Sequence, residues 1–380
     1  MDFLSQTFLL ERLMGVSLYI IVTFLTYTSL RRENSGLTFN AKLNICLIAL
    51  CVMAFFYVPP ESADLYRIRE WVSRESSRSF VYFTDEVLPS SSTPGARILY
   101  YIFGHLEFPG LLPAFACLVY FYCIFHIFKE EKSIGRSSST SLSIAFLFFM
   151  AQGCFLETIS GIRSCMAFSI VAKVVYDDFC LQRKSFINYF LCLVAASIHP
   201  APIPIIISFL PLSIYDCVRN NRMFMSVLCS TAWTTIIITA IRYKTNVVEG
   251  VFAKADSYTS EGKYFNLWEY IIVWLSMIIL ARILVSFRKH YKSSGLRIMY
   301  LYAIFMFVSL LPFCMYYTIF HRYSHFLMYV FVPIMAYAVE IEKEQGKNSL
   351  YQAVKYGAYL ILILACTRGN LCGYKFFLLE

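Results

Sequence analysis

Charge is what this sequence holds least of. Only 15% of its 380 residues are Asp, Glu, Lys or Arg, where a soluble domain carries about 25% to keep its surface wet. The shortfall excludes the one or two ordinary soluble domains that length alone would allow. No polar stretch is long enough to bury a core of its own; the longest runs only from Pro59 to Phe108. Paired cysteines are missing too. The count is 13, an odd number without a C-x-x-C pair. Most of them (Cys46, Cys51, Cys117, Cys123, Cys192, Cys229 and Cys314) lie inside apolar runs. They read as small buried hydrophobes, which excludes a disulfide frame and a cysteine metal site. A nucleotide-binding loop, an H-E-x-x-H and a G-x-S-x-G are all absent, so a soluble nucleotide-sugar donor is not expected. Neither metal nor cofactor is expected, although Glu61 near Asp64 leaves room for a divalent ion.

What is present is apolar and aromatic. Hydrophobic residues make up 58% of the chain, with 35 Phe and 28 Tyr, and mean hydropathy is +0.60. Runs of about 17 to 23 apolar residues cross a hydrocarbon core of about 30 Å. On that basis spans are expected near 13–30, 40–58, 109–128, 139–154, 162–177, 186–198, 201–216, 223–241, 268–286, 298–318, 323–340 and 350–366. The fold class is all-α: a polytopic helical bundle of about 12 transmembrane helices, forming a single transmembrane domain over 1–380. Short or broken helices are expected around 162–216, because the prolines in His199-Pro200-Ala201-Pro202 forbid a continuous helix. Glu11 and Arg12 before the first run suit a retained helix better than a cleaved signal.

The net charge of +9 is not gathered into one patch, so no nucleic-acid partner is expected. Basic residues fall in short connections: Arg31-Arg32 to Lys42, Lys129 to Arg136, Arg183-Lys184, Arg219 and Arg222, Arg288 to Arg297, and Lys343 to Lys347. Such loops face the cytoplasm. Two long loops, 59–108 and 242–267, then lie outside the membrane with both termini. A serine run at Ser137–Ser143 reads as a loop leading into the fourth span.

Ionisable groups beside a span are costly and mark pathways or sites. Asp64, Tyr66, Arg67, Arg69 and Glu70 follow the second span; Glu157 and Arg163 bracket the start of the fifth; His199 ends the sixth; His321, Arg322 and His325 open the eleventh. On this topology all lie at outer helix ends. Each also has a plain reading. Arg163 and Arg322 suit snorkelling to the headgroups, His199 a helix-terminal hydrogen bond, and Asp64 a helix cap. His126 and His290, on the inner side, read as structural. Together the outer groups form a different pattern. Arginines grip a diphosphate bidentately and stabilise it as it departs. A carboxylate or neutral imidazole beside them takes the proton of an attacking sugar hydroxyl.

These residues resemble the pattern of the EpsG family, the Wzy-like polymerases of bacterial exopolysaccharide, capsule and O-antigen. Asp64 and Tyr66 match an Asp-x-Tyr motif in the first outer loop. Ile162-Arg163 through Ala167 matches an Ile-Arg-x-x-x-Ala helix start, His199 a His followed by a small residue or proline, and Arg322-Tyr323 a late Arg-aromatic pair. Gly161 departs from the pattern, where a polar Gln or Asn is expected, and so does the serine-rich stretch between Trp71 and Arg97. The resemblance implies transfer of a growing chain from its undecaprenyl diphosphate onto the next lipid-linked repeat unit, in the bacterial cytoplasmic membrane. It implies donor and acceptor lipids as partners, and a chain-length-setting co-polymerase. Arg163 and Arg322 would hold the donor diphosphate, Arg69 and Arg67 the acceptor's, and His199 or Asp64 would act as base. Tyr66, Glu157, His321, Tyr323 and His325 are further candidate substrate contacts. Three other readings remain: a glycosyltransferase using polyprenyl-phosphate sugars, an acyltransferase built around His199, and a flippase, which the lack of matching halves disfavours.

Overall fold

The computed structural model describes residues 3–33, 36–59, 61, 63–106, 108–152, 154–219, 266–288 and 294–368. Every extended element among them is a helix. The first seven in chain order are α1 (Phe3–Arg31), α2 (Phe39–Phe55), α3 (Asp64–Ser76), α4 (Pro94–Gly104), α5 (Leu111–Ile134), α6 (Ser139–Ala151) and α7 (Cys154–Ser160). The next seven are α8 (Ile162–Phe179), α9 (Phe186–Ile198), α10 (Ile203–Arg219), α11 (Leu267–Phe287), α12 (Ser294–Leu310), α13 (Tyr317–Glu344) and α14 (Ser349–Thr367).

Among the described residues, six stretches are long and apolar enough to cross a membrane: Met14–Arg31, Leu111–Ile134, Leu267–Phe287, Gly295–Met315, Tyr317–Glu344 and Ser349–Thr367. Shorter apolar helices lie at Phe39–Phe55, Ser139–Ala151, Phe186–Ile198 and Ile203–Asp216. A 13-residue helix such as α6 or α9 rises only about 20 Å at about 1.5 Å per residue, less than the hydrocarbon thickness. Helices overlap all the expected spans except 223–241, which lies outside the described residues, as does nearly all of the loop 242–267. His290 lies outside them too.

The apolar surface agrees with a bilayer environment. Ile45, Ile48 and Val52 on α2, Phe186, Ile187 and Phe190 on α9, and Ile278 and Val285 on α11 are all exposed. Water would drive such a surface to associate; lipid tails accept it. Inside, α5 packs on α2 and α8, α8 packs on α9, and α6 meets α1, α13 and α14. The centre is aromatic, with Tyr120, Phe121, Phe125, Phe146 and Tyr329 wholly buried. There the Tyr120 hydroxyl donates to that of Tyr329 at 2.9 Å.

Helix ends follow local chemistry. Ser138 and Ser185 cap α6 and α9 by accepting from Ser141 and Ile187 backbone N–H groups. Gly135 closes α5 in the left-handed region, φ 72°, where glycine has no side chain to clash. At the end of the bundle carrying the basic connections, charges are buried in pairs. Lys184 Nζ lies 2.7 Å from Asp178 and 3.1 Å from Asp216, while Asp177 bridges His126 and Lys173. His126 is structural in this sense.

Two expectations change. The segment 59–108, expected as a long extracytoplasmic loop, is largely helical: α3, an irregular helical stretch over 80–90, and α4. Leu65 and Ile68 recur at helical spacing and are buried, so α3 lies down on α4 by its apolar face. Buried Glu75 binds Arg78 at 2.8 Å and Arg97 at 3.2 Å, tying α3 to its neighbours. Second, His321, Arg322 and His325 do not open their helix. α13 starts at Tyr317, since buried Phe320 extends its apolar face by another turn.

Candidate functional site

The backbone between α9 and α10 turns at the prolines. His199 leaves the helix in extended conformation, φ −153° and ψ 139°. Its Nδ1 accepts the Ala201 backbone N–H at 3.1 Å, which assigns the proton of a neutral ring to Nε2. The Tyr323 hydroxyl donates to the Ala201 carbonyl at 2.8 Å, anchoring the same turn to α13. Tyr323 is thus a brace for the turn.

Arg163 sits in the first turn of α8. The break before it is tight: the Gly161 N–H donates to the Glu157 carbonyl at 2.6 Å. A Cβ at Gly161 would stand 2.9 Å from that same oxygen. Glycine here, in place of Gln or Asn, therefore suits the tight closure of the last turn of α7.

These turns meet α3 around one cavity of about 250 Å³. Asp64, Arg67, Ile68 and Trp71 line it from α3, Arg163 and Ser164 from α8, His199 from the proline turn, and Arg322 from α13. Four residues far apart in sequence, Asp64, Arg163, His199 and Arg322, thus share one space. Its ionised groups are three guanidiniums against one carboxylate, an arrangement suited to anions. Asp64 is bonded to Arg67 one turn on; both are well exposed, so the pair contributes little to stability. Among the described residues Arg163 makes no ion pair, and its guanidinium lies 5.4 Å from the centre of the Trp71 ring. Arg97 approaches the same ring at 5.7 Å. A cation over an indole face is held without its hydrogen-bond donors being consumed, which leaves the Arg163 fork for a ligand. The buried phenol of Tyr100 is pushed up in pKa by burial, against the pull of Arg163 and Arg97.

Other candidates lie elsewhere. Arg69 points away from Arg67 and lines a separate cavity of about 340 Å³ with Leu65, Val72, Phe103 and His105. It donates to the Tyr57 carbonyl at 3.0 Å, and burial lowers its pKa despite the neighbouring phenol. Arg69 is therefore withdrawn from the diphosphate-binding group. Tyr66 is exposed and does not line the arginine cavity. Glu157, His321 and His325 form a cluster of their own, with His321 Nε2 and His325 Nδ1 at 3.0 and 2.7 Å from the carboxylate.

Comparison of the chain with protein-family models, curated proteins and solved structures gives no match. The functional reading therefore rests on the site itself. Sequence reasoning did not single out Trp71, which lines the cavity, or Arg97, which approaches its ring from outside the lining. Trp71 had a signal, standing one helical turn beyond Arg67 on the same face. Arg97 had none, since its place beside Trp71 depends on how α4 docks on α3.

Proposed function

We propose that this protein is a polymerase that joins lipid-diphosphate-linked oligosaccharide units at a membrane surface. The observation that carries the reading is that Arg163, Arg322, Asp64 and His199 line one cavity. Arg163 and Arg322 hold the diphosphate of the donor, and Arg67 guides that of the acceptor. The sugar hydroxyl of the acceptor attacks the anomeric carbon of the donor, and the bond from that carbon to the diphosphate oxygen breaks. Asp64 accepts the hydroxyl proton. His199, with Nδ1 engaged by the backbone, is a donor through Nε2 and stabilises the leaving diphosphate.

The chain then crosses the bacterial cytoplasmic membrane about 12 times. Basic connections lie inside and the cavity opens outside, where a flipped repeat unit is presented. A co-polymerase that sets chain length is the expected partner.

The test is to replace Arg163 by Ala and by Lys in a strain that depends on this chain for a laddered polysaccharide. Loss of the ladder in both, with the protein still in the membrane, supports the reading; an unchanged ladder overturns it. A product that grows by single sugars would instead favour a glycosyltransferase using polyprenyl-phosphate sugars, for which Asp64 serves equally well.

A further inference from the structure

Beside the arginine cavity is a cluster that the proposed transfer does not use. His321 and His325 are one turn apart on α13, so both imidazoles lie on one face. Their ring centres are 4.5 Å apart and tilted by 49°. Glu157, from α7, meets both: one carboxylate oxygen is 3.0 Å from His321 Nε2, the other 2.7 Å from His325 Nδ1. A ligand atom from each of the three residues lies within 4.8 Å of the other two. The side chains of His321, His325 and Glu157 are 13%, 6% and 23% exposed, a largely dry site at the junction of two helices.

We propose that Glu157, His321 and His325 bind one divalent transition-metal ion, zinc by preference, which clamps α7 to α13. Two imidazoles and a carboxylate form a donor set that zinc accepts, with water as a fourth ligand. Magnesium and calcium demand oxygen donors instead. Zinc–ligand bonds of about 2.0 to 2.2 Å set tetrahedral ligand atoms roughly 3.3 Å apart. The two histidine–carboxylate contacts, 3.0 and 2.7 Å and each to a different Glu157 oxygen, would open by a few tenths of an ångström to reach that spacing. A supporting shell is in place. The Tyr317 ring stacks on His321 at 5.4 Å, and its hydroxyl donates to Glu269 on α11, limiting rotation of the imidazole.

The ion positions residues rather than reacting. Arg322 lies between the two histidines in sequence, and Glu157 stands one turn before Gly161, which is followed two residues on by Arg163. Clamping α7 to α13 therefore fixes the two segments that deliver guanidiniums to the cavity. The site stands on its own geometry, and its failure would leave the polymerase reading untouched.

The full chain, purified in detergent and stripped with chelator, is titrated with zinc; bound metal is then measured after desalting, alongside the thermal midpoint. The expected result is about one zinc per chain and a raised midpoint. His321→Ala and His325→Ala should lose both effects, Glu157→Gln should bind at least tenfold more weakly, and His105→Ala, in the outer segment, should match the unmodified chain. Cobalt, read by its visible spectrum, gives a signature of histidine and carboxylate ligation in the unmodified protein, so the test survives variants that fail to fold. Absence of stoichiometric zinc and of the cobalt spectrum in the unmodified chain would overturn the proposal. So would a doubly substituted His321→Ala/His325→Ala chain that keeps its zinc.

Discussion

The guanidinium of Arg163 rests over the face of Trp71, 5.4 Å from the ring centre, so the start of a core helix is held by a side chain of the segment 59–108. Trp71 thereby positions the residue on which diphosphate binding is proposed to depend. A cation over an indole is worth about 0.5 to 2 kcal/mol. Trp71→Ala should slow polymer synthesis on the order of tenfold, and Trp71→Phe should recover part of the loss. Initial rates of ladder formation, normalised to protein in the membrane, check this.

Asp64 and His199 separate by role. A general base contributes about 10² to 10⁴ in rate, so Asp64→Asn should reduce transfer by roughly a hundredfold or more. His199→Gln keeps a donor in place and should stay within about tenfold of the unmodified chain if the imidazole acts through its Nε2 proton. Complete loss with His199→Gln while Asp64→Asn keeps its rate would make His199 the base.

Arg67 and Arg69 should behave differently despite lying two residues apart. Arg67→Ala should raise the acceptor concentration needed for half-maximal rate. Arg69→Ala removes the hydrogen bond to the Tyr57 carbonyl. It should lower the thermal midpoint while leaving the rate per folded molecule unchanged. Unfolding in detergent and initial rates, measured side by side, separate the two.

Part of this was legible in the sequence and part was not. The apolar runs marked the helices well, because a span needs length and little else. The outer polar groups were legible as a set, since a charge beside a membrane demands a reason. The failure at Arg69 was one of phase: two residues along a helix turn about 200°, so Arg67 and Arg69 cannot face one cavity once α3 is a helix. Reading 59–108 as a loop hid that constraint. The pairing of Glu157 with His321 and His325 was half visible. The i, i+4 histidines could be seen, but their carboxylate partner comes from a distant segment that only tertiary packing brings near.

The opposite end of the bundle makes a separate prediction about stability. Lys184 and Asp178 are buried and 2.7 Å apart. Removing one member of a buried pair costs about 3 to 5 kcal/mol, because the other charge is left uncompensated. Lys184→Met should therefore lower the thermal midpoint sharply, and adding Asp178→Asn should cost less than the sum of the two single changes. Thermal unfolding of the four proteins in one detergent tests the coupling.

The central claim is that the cavity of Asp64, Arg163, His199 and Arg322 joins lipid-linked units. The most direct measurement reconstitutes the purified chain in liposomes with a lipid-diphosphate-linked oligosaccharide as the sole substrate and follows product mass over time. The account predicts products growing by whole oligosaccharide units, with free lipid diphosphate released at each step, and no growth with Arg163→Ala or Arg322→Ala. Growth by single sugars, or undiminished growth in both variants, would contradict it.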